Sequence, residues 1–188
     1  MSPTLIIITG HPGTGKTTLA HRLSKELNLP VLSKDEIKEV LFDVLGWTDV
    51  SWSKQISAAS YRVIDHVMKE LLTVGGGAII ESNFLVEFDS ERIEALIRNY
   101  SIAPVQILLY SKEDVRAKRF HERRTSGNRH AGHHDLDQFQ KNQDHDRRIP
   151  LMISAPRIEI DTTDFEKVDY AELLNEIRKA CLDSDGTV

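Results

Sequence analysis

Apolar positions along the chain follow two alternating rhythms. Five short runs read as strands: Leu5-Ile6-Ile7-Ile8-Thr9, Val31-Leu32, Ala78-Ile79-Ile80-Glu81, Val105 to Tyr110, and Arg157 to Asp161. Most are apolar without alternation, as in strands covered on both faces. Between them the period lengthens to that of a helix. Leu19, Leu23 and Leu27 share one face of a segment that ends near Asn28, since Pro30 cannot continue it. Ser33-Lys34-Asp35-Glu36 has the form of a capping box, opening a helix that runs to about Leu45 and stops before Gly46. A long helix from about Trp52 places Ile56, Ala59, Val63, Val67 and Leu71 on one face and ends at Gly75-Gly76-Gly77.

Further helices are predicted over Ser90 to Tyr100, Asp114 to Arg124, Asp135 to Arg147 and Tyr170 to Leu182, the last with Leu173, Leu174 and Ile177 inward. Thr125 to His134 has the composition of a loop, and the tail from Asp183 is expected to fray. Strands alternating with helices define an α/β fold: a five-stranded parallel sheet with helices on both faces. Ligands of such sheets bind at the carboxyl ends of the strands, so the residues just after each strand are the ones to interrogate.

The first of these junctions carries the strongest chemistry. Gly10-His11-Pro12-Gly13-Thr14-Gly15-Lys16-Thr17 has the spacing G-x-x-x-x-G-K-[ST] of the P-loop, or Walker A motif, between a strand and a helix. Its glycines let the backbone curl until several N–H groups converge on one anion, and the following helix points its positive end at the same place. Lys16 is placed to reach the β- and γ-phosphates of a nucleoside triphosphate, and the Thr17 hydroxyl to ligate magnesium. Thr14 and Thr18 add candidate phosphate contacts. A glycine-rich turn that binds nothing is the alternative, and eight patterned positions in the right context argue against it.

Other junctions add candidates. Asp35, in the first turn after the second strand, complements a helix dipole or orients an acceptor hydroxyl. Glu81 ends the third strand where a Walker B-like acid sits; it either caps the strand in solvent or holds a magnesium-bound water. Asn83 follows as a substrate contact or a turn residue. Arg116, Arg119 and Arg123 share a helix face, with Arg124 and Arg129 nearby. Such a cluster is either a solvated charged surface or a polyphosphate clamp, and one arginine on a transferring phosphoryl group is worth on the order of 10³ or more in rate. His130, His133 and His134 with Asp135 lack a second set of metal ligands, so a polar lid closing over the nucleotide is expected instead. Trp47, Trp52 and Phe84 either line an acceptor pocket or pack. Ser111-Lys112-Glu113-Asp114 and Asp43-Val44-Leu45-Gly46 imitate guanine-nucleotide motifs, but the first reads as a helix start and the second as a helix end.

Composition narrows the setting. The 188 residues suffice for one domain with a full core, and no linker or repeat divides them. A net charge of −5 gives no general basic surface for nucleic acid. The single cysteine, Cys181, permits no intrachain disulfide and no cysteine zinc site, which suits a reducing cytosol. The N-terminal apolar run is too short for a signal peptide or a membrane span, so no membrane partner is expected.

Gly10 to Thr18, Leu32-Ser33-Lys34-Asp35 leading into a helix, and Arg116, Arg119 and Arg123 before a glycine-containing loop together resemble a small P-loop kinase. The resemblance is to the family grouping the phage polynucleotide 5′-kinase domain with zeta-toxin and chloramphenicol phosphotransferase-like enzymes. It implies a three-layer α/β/α P-loop NTPase fold with strand order 2-3-1-4-5 and a lid at about residues 115–148. It implies ATP and Mg2+ as cofactors and an ATP-dependent transfer to an alcohol-group acceptor. Asp35 then corresponds to the acceptor-activating base, Arg123 or Arg119 to the lid arginine on the β/γ-phosphates, and the surroundings of Thr162 and Thr163 to the adenine site. The third-strand segment departs from the family pattern: Glu81-Ser82-Asn83 stands where an Asp followed shortly by Thr-Asn is usual. The expected activity is phosphorylation of a small-molecule hydroxyl. Rival readings are a polynucleotide 5′-hydroxyl kinase, and a nucleotide-dependent switch or ATPase without an acceptor.

Overall fold

The computed structural model describes residues 2–127, 129–134 and 150–185. Strands β1 (Thr4–Gly10), β2 (Val31–Ser33), β3 (Ala78–Glu81), β4 (Ala103–Tyr110) and β5 (Arg157–Asp161) form one sheet in the order β2-β3-β1-β4-β5. Every neighbouring pair is parallel. The helices are α1 (Lys16–Leu27), α2 (Lys34–Leu45), α3 (Val50–Thr73), α4 (Val86–Tyr100), α5 (Glu113–Thr125) and α6 (Tyr170–Asp185), with a short 3-10 turn at Phe165–Lys167.

The central strand shows how the layers arise. Side chains alternate across a strand, so Leu5 and Ile7 enter one core with Ile64, Met68 and Ile93 of α3 and α4. Ile6 and Ile8 enter the other with Leu19 and Leu23 of α1 and Leu173 and Ile177 of α6. All four β1 residues are fully buried. This is the three-layer sheet sandwich with the strand order implied by the resemblance.

Three expectations shift. The buried stripe of α3 is Ser53, Ile56, Ser60, Ile64, Met68 and Leu72, one position off the predicted face, while Val63 is 40% exposed. Serines explain the offset. Ser60 Oγ donates to Ile56 O at 2.8 Å and Ser53 Oγ accepts from Lys38 Nζ at 2.8 Å, so both enter the core satisfied, where a purely apolar pattern leaves them out. Helix α4 begins at Val86 rather than Ser90, because the Asp89 carboxylate reaches back to accept from Leu85 N at 2.7 Å. Helix α3 begins at Val50 because Asp49 caps it, accepting from Trp52 N at 2.8 Å.

The capping box forms by half. Ser33 Oγ accepts from Glu36 N at 3.5 Å, but the Glu36 carboxylate pairs with His21 Nε2 at 2.7 Å instead of returning to the cap. The helix expected over 135–147 lies outside the described residues. Where the chain resumes, buried Gln106 of β4 holds Leu151 by both backbone groups, donating to its carbonyl at 3.2 Å and accepting from its N–H at 2.6 Å.

Candidate active site

The loop between β1 and α1 is held in a tight curl from within. His11 O accepts from Thr14 N at 3.3 Å, from Thr14 Oγ1 at 2.9 Å and from Lys16 Nζ at 2.9 Å. Lys16 Nζ also donates to Gly10 O at 2.9 Å. Two glycines are dictated by close approach as well as by conformation. Gly13 (φ +82) lies against the Arg116 backbone and Gly15 (φ +85) against the Phe165 ring, and a Cβ at either would overlap its neighbour. Of the other loop positions, Pro12 is half-buried and Thr18 exposed in the first turn of α1. Thr162, expected near the nucleotide, is buried and donates to Thr14 O at 2.8 Å and Tyr110 O at 3.0 Å, bracing the loop from beyond β5.

Glu81 joins this loop to the next junction. Its Oε2 accepts from Ser33 Oγ at 2.7 Å and lies 3.4 Å from Thr17 Oγ1. Burial pushes its carboxyl above the usual range, a push that Lys16 and the Ser33 hydrogen bond oppose and Asp35 and Glu36 reinforce. The solvated strand cap weighed for Glu81 is thereby replaced by a buried acid, 5% exposed, between Thr17 and the N-cap of α2.

Asp35 sits two residues past that cap. Its Oδ1 accepts from Lys34 Nζ at 3.1 Å and its Oδ2 from Arg129 Nη1 at 3.0 Å. Burial alone raises its pKa, but Lys34, Arg129 and His133 outweigh burial and hold it well below the ordinary carboxylate range. Arg129 also approaches Glu39 Oε1 at 3.5 Å, and His133 Nε2 lies 2.9 Å from the same oxygen. Glu39 is itself held low: burial raises it, and His133, Arg129 and Arg123 prevail.

Asp35 lines an open polar cleft of about 420 Å³, the solvent at its mouth included. Helix α2 contributes Lys34, Asp35 and Lys38, and α3 contributes Ser53, Lys54 and Ser57. Asn83, whose buried Oδ1 has no hydrogen-bond partner, closes one side, and Arg129 and His133 close another. Tyr61 Oη, 2.8 Å from Ser82 Oγ, anchors the loop that carries Asn83.

The arginines of α5 diverge. Arg119 turns toward the loop after β5, donating through Nη2 to Thr163 O at 3.3 Å, with its guanidinium carbon 5.9 Å from the Phe165 ring centre. Its Nη1 is buried without a partner. Arg123 is exposed on α5 and lies close enough to Glu39 to favour its charged form. His130 stacks on Phe42 with centroids 5.1 Å apart and meets Asp43 at 3.3 Å, so the histidines brace α2. No group of three or more potential metal ligands occurs among the described residues. The aromatic pocket does not form: Phe84 is core, Trp47 packs edge-on to His130, and Trp52 Nε1 donates to Gly46 O at 2.9 Å. Ser111 to Asp114 and Asp43 to Gly46 are a helix start and a helix end, as their context predicts.

Lys38, Glu39, Ser53, Lys54 and Ser57 escape sequence reasoning. The signal existed in part: Lys38 and Glu39 follow Asp35 by three and four residues, on one helix face. Nothing in the sequence says that α3 would lay its serines against that face.

The residues fit a triphosphate and its metal ion. The loop curls tightly on glycines that its neighbours approach too closely for a Cβ, a buried arginine N–H beside it lacks an acceptor, and Thr17 with Glu81 offers the hard oxygen donors magnesium prefers.

Fold and loop together define a P-loop nucleotide-binding protein of the kinase type. The AAA domain family profile (AAA_33) matches residues 5–145, and the chain belongs to that family of P-loop kinases. A crystal structure of a candidate kinase from Chloroflexus aurantiacus J-10-fl is 37% identical, with a TM-score of 0.88 over 96% of this chain and 99% of that one. Two more distant structures share the fold. A sugar kinase from Janibacter sp. HTCC2649 is 16% identical, with TM-score 0.58 over 95% of this chain and 98% of its own. Kti12 from Chaetomium thermophilum, in complex with ADP-AlF3, is 16% identical, with TM-score 0.61 over 93% and 96%. No curated protein matches the chain. No helix among the described residues is long and apolar enough to cross a membrane.

Proposed function

We propose that the protein is an ATP-dependent kinase that transfers the γ-phosphoryl group to a hydroxyl of a small-molecule acceptor. The observation that carries this reading is the position of Glu81, which touches Thr17 of the triphosphate loop and Ser33 at the head of the helix bearing Asp35. One buried carboxylate thus fixes the spacing between the phosphate cradle and the polar cleft.

In this reading the amides from Gly10 to Thr18 and Lys16 hold the β/γ-phosphates. Thr17 and Glu81 would hold a magnesium ion, which would supply charge neutralisation to the phosphate oxygens. Asp35, ionised by its cationic neighbours, accepts a hydrogen bond from the acceptor hydroxyl and aims its oxygen; with a loose transition state, positioning matters more than base strength. Asn83 offers its orphan acceptor oxygen to a second hydroxyl. Arg123, on the helix after β4, stabilises the transferring group, and Arg119 with the Thr162-Thr163 loop takes the nucleotide side. The chain forms a single kinase domain with a lid at about 115–148, in a reducing compartment suited to its lone cysteine.

The test is phosphoryl transfer from labelled ATP to a mixture of hydroxyl compounds with wild type and Asp35→Asn. Labelled product from the wild type alone, with ATP affinity retained in the variant, supports the assignment. Acceptor-independent ATP hydrolysis that is the same in both would end it.

A further inference from the structure

The cleft beside Asp35 has a chemical character of its own. Among the described residues its wall holds four cationic chains, Lys34, Lys38, Lys54 and Arg129, and one carboxylate, Asp35, in a chain whose net charge is −5. Positive charge gathered in a concave wall on an acidic protein focuses potential there and draws anions to it. Lys38 is no loose surface chain. It is 6% exposed, and its ammonium is fixed 2.8 Å from Ser53 Oγ, so the position of its charge is set before any ligand arrives. The wall is otherwise made of hydroxyls and an amide. Among the described residues its one ring is the imidazole of His133, which is 3% exposed and lies 2.9 Å from Glu39, and no aliphatic side chain lines it.

We propose that the acceptor is a small hydroxylated anion, a sugar acid or sugar phosphate. Its anionic group lies toward Lys38 and Lys54, and one of its hydroxyls lies at Asp35. This rests on the kinase reading above and specifies its substrate class. The anion is placed away from Asp35, since like charges repel at close range. Ser57 and the buried Oδ1 of Asn83 are left for the remaining hydroxyls. Among the described residues an acceptor with a base or aromatic ring finds no open aromatic face, since the ring of His133 is buried, which sets this site apart from single-strand nucleic-acid grooves built on aromatic platforms.

The experiment compares kcat/KM for matched pairs with labelled ATP: D-gluconate and D-glycerate against D-glucose and glycerol, D-glucose 6-phosphate against D-glucose, and a 5′-hydroxyl oligonucleotide. The anionic member is expected to exceed its neutral parent by about tenfold or more, a difference one good ion contact supplies. The carboxylate and phosphate arms tell which anion is meant. Lys54→Glu should erase most of that preference through KM. Equal or better use of neutral parents or of the oligonucleotide overturns the anionic acceptor while leaving the kinase in place. ATP turnover with no labelled product from any compound overturns both, and is recognised by the absence of transfer.

Discussion

Arg129 and Asp35 are ninety-four residues apart in the chain, yet Nη1 of the one lies 3.0 Å from Oδ2 of the other. That pair closes the loop after α5 over the first turn of α2. It also sets the charge state of the acid: together with Lys34 and His133 it keeps Asp35 ionised far into the acid range, against the pull of burial. A depressed carboxylate stabilises the folded state above the pKa of the unfolded chain and loses that contribution only as pH falls through the folded value.

Asp35 should therefore impose no acid limb on wild-type kcat/KM within or above the ordinary carboxylate range. Arg129→Ala leaves burial less opposed, so an acid limb should move upward into measurable pH. Asp35→Asn should lower transfer by about 10²–10⁴-fold, as loss of a positioned acid–base group does, with little change in ATP affinity. A pH profile unmoved by Arg129→Ala would show that the pair does not govern Asp35.

Glu81 titrates in the opposite direction. Burial raises its pKa above the unfolded value, so its folded form binds a proton that the unfolded chain releases. Stability from that proton is complete below the ordinary glutamate pKa and lost as pH rises through the folded value. Glu81→Gln keeps a carbonyl oxygen for Ser33 and removes the titration. In nucleotide-free protein the Tm of the variant should gain on wild type as pH rises from 4 to 8, while phosphoryl transfer collapses for want of the metal-side carboxylate. A Tm difference constant across that range would refute the buried-acid account.

Much of this was legible in the residues. The P-loop declared itself, because each glycine answers a local backbone demand and the flanking rhythms name the strand and helix. The sheet was legible because β1 and β3 are apolar at every position but their ends. What stayed hidden depends on packing between distant segments. Ser53 and Ser60 look polar in sequence and are buried only because Lys38 and the Ile56 carbonyl receive them. Arg119 and Arg123 share a sequence face, yet only coordinates show Arg119 held by Thr163, forty-four residues on. The acid at Glu81 was visible as a strand end; its burial between two hydroxyls was not.

The cradle itself can be probed by volume. Gly13 sits at φ +82 with its Cα facing the Arg116 carbonyl, so Gly13→Ala meets both an unfavourable dihedral and a backbone neighbour that cannot rotate away. The combination should cost about 2–4 kcal/mol of stability, strain and overlap together, read from the urea midpoint. ATP binding should weaken as well, because relief would come from pulling the start of α5 off the loop. Stability within 0.5 kcal/mol of wild type, the range of an inert surface change, would mean that α5 packs less closely than described.

Arg119 and Arg123 offer a division of labour that kinetics separates. Arg119 is tethered to the loop after β5, beside Phe165, with one buried N–H awaiting an acceptor. A group so fixed before the reaction binds ground state and transition state alike, so Arg119→Ala should raise KM for ATP about tenfold and leave kcat nearly unchanged. Arg123 is exposed and acts electrostatically on Glu39 of α2, the helix that carries Asp35. Charge placed there is felt most as the phosphoryl group moves across, so Arg123→Ala should lower kcat by about 10³-fold with KM little altered. Arg123→Lys should recover only part of it, since a point charge lacks the planar fork. If Arg119→Ala instead lowers kcat and Arg123→Ala raises KM, the two arginines exchange roles, and the transferring group lies nearer Thr163 than Asp35.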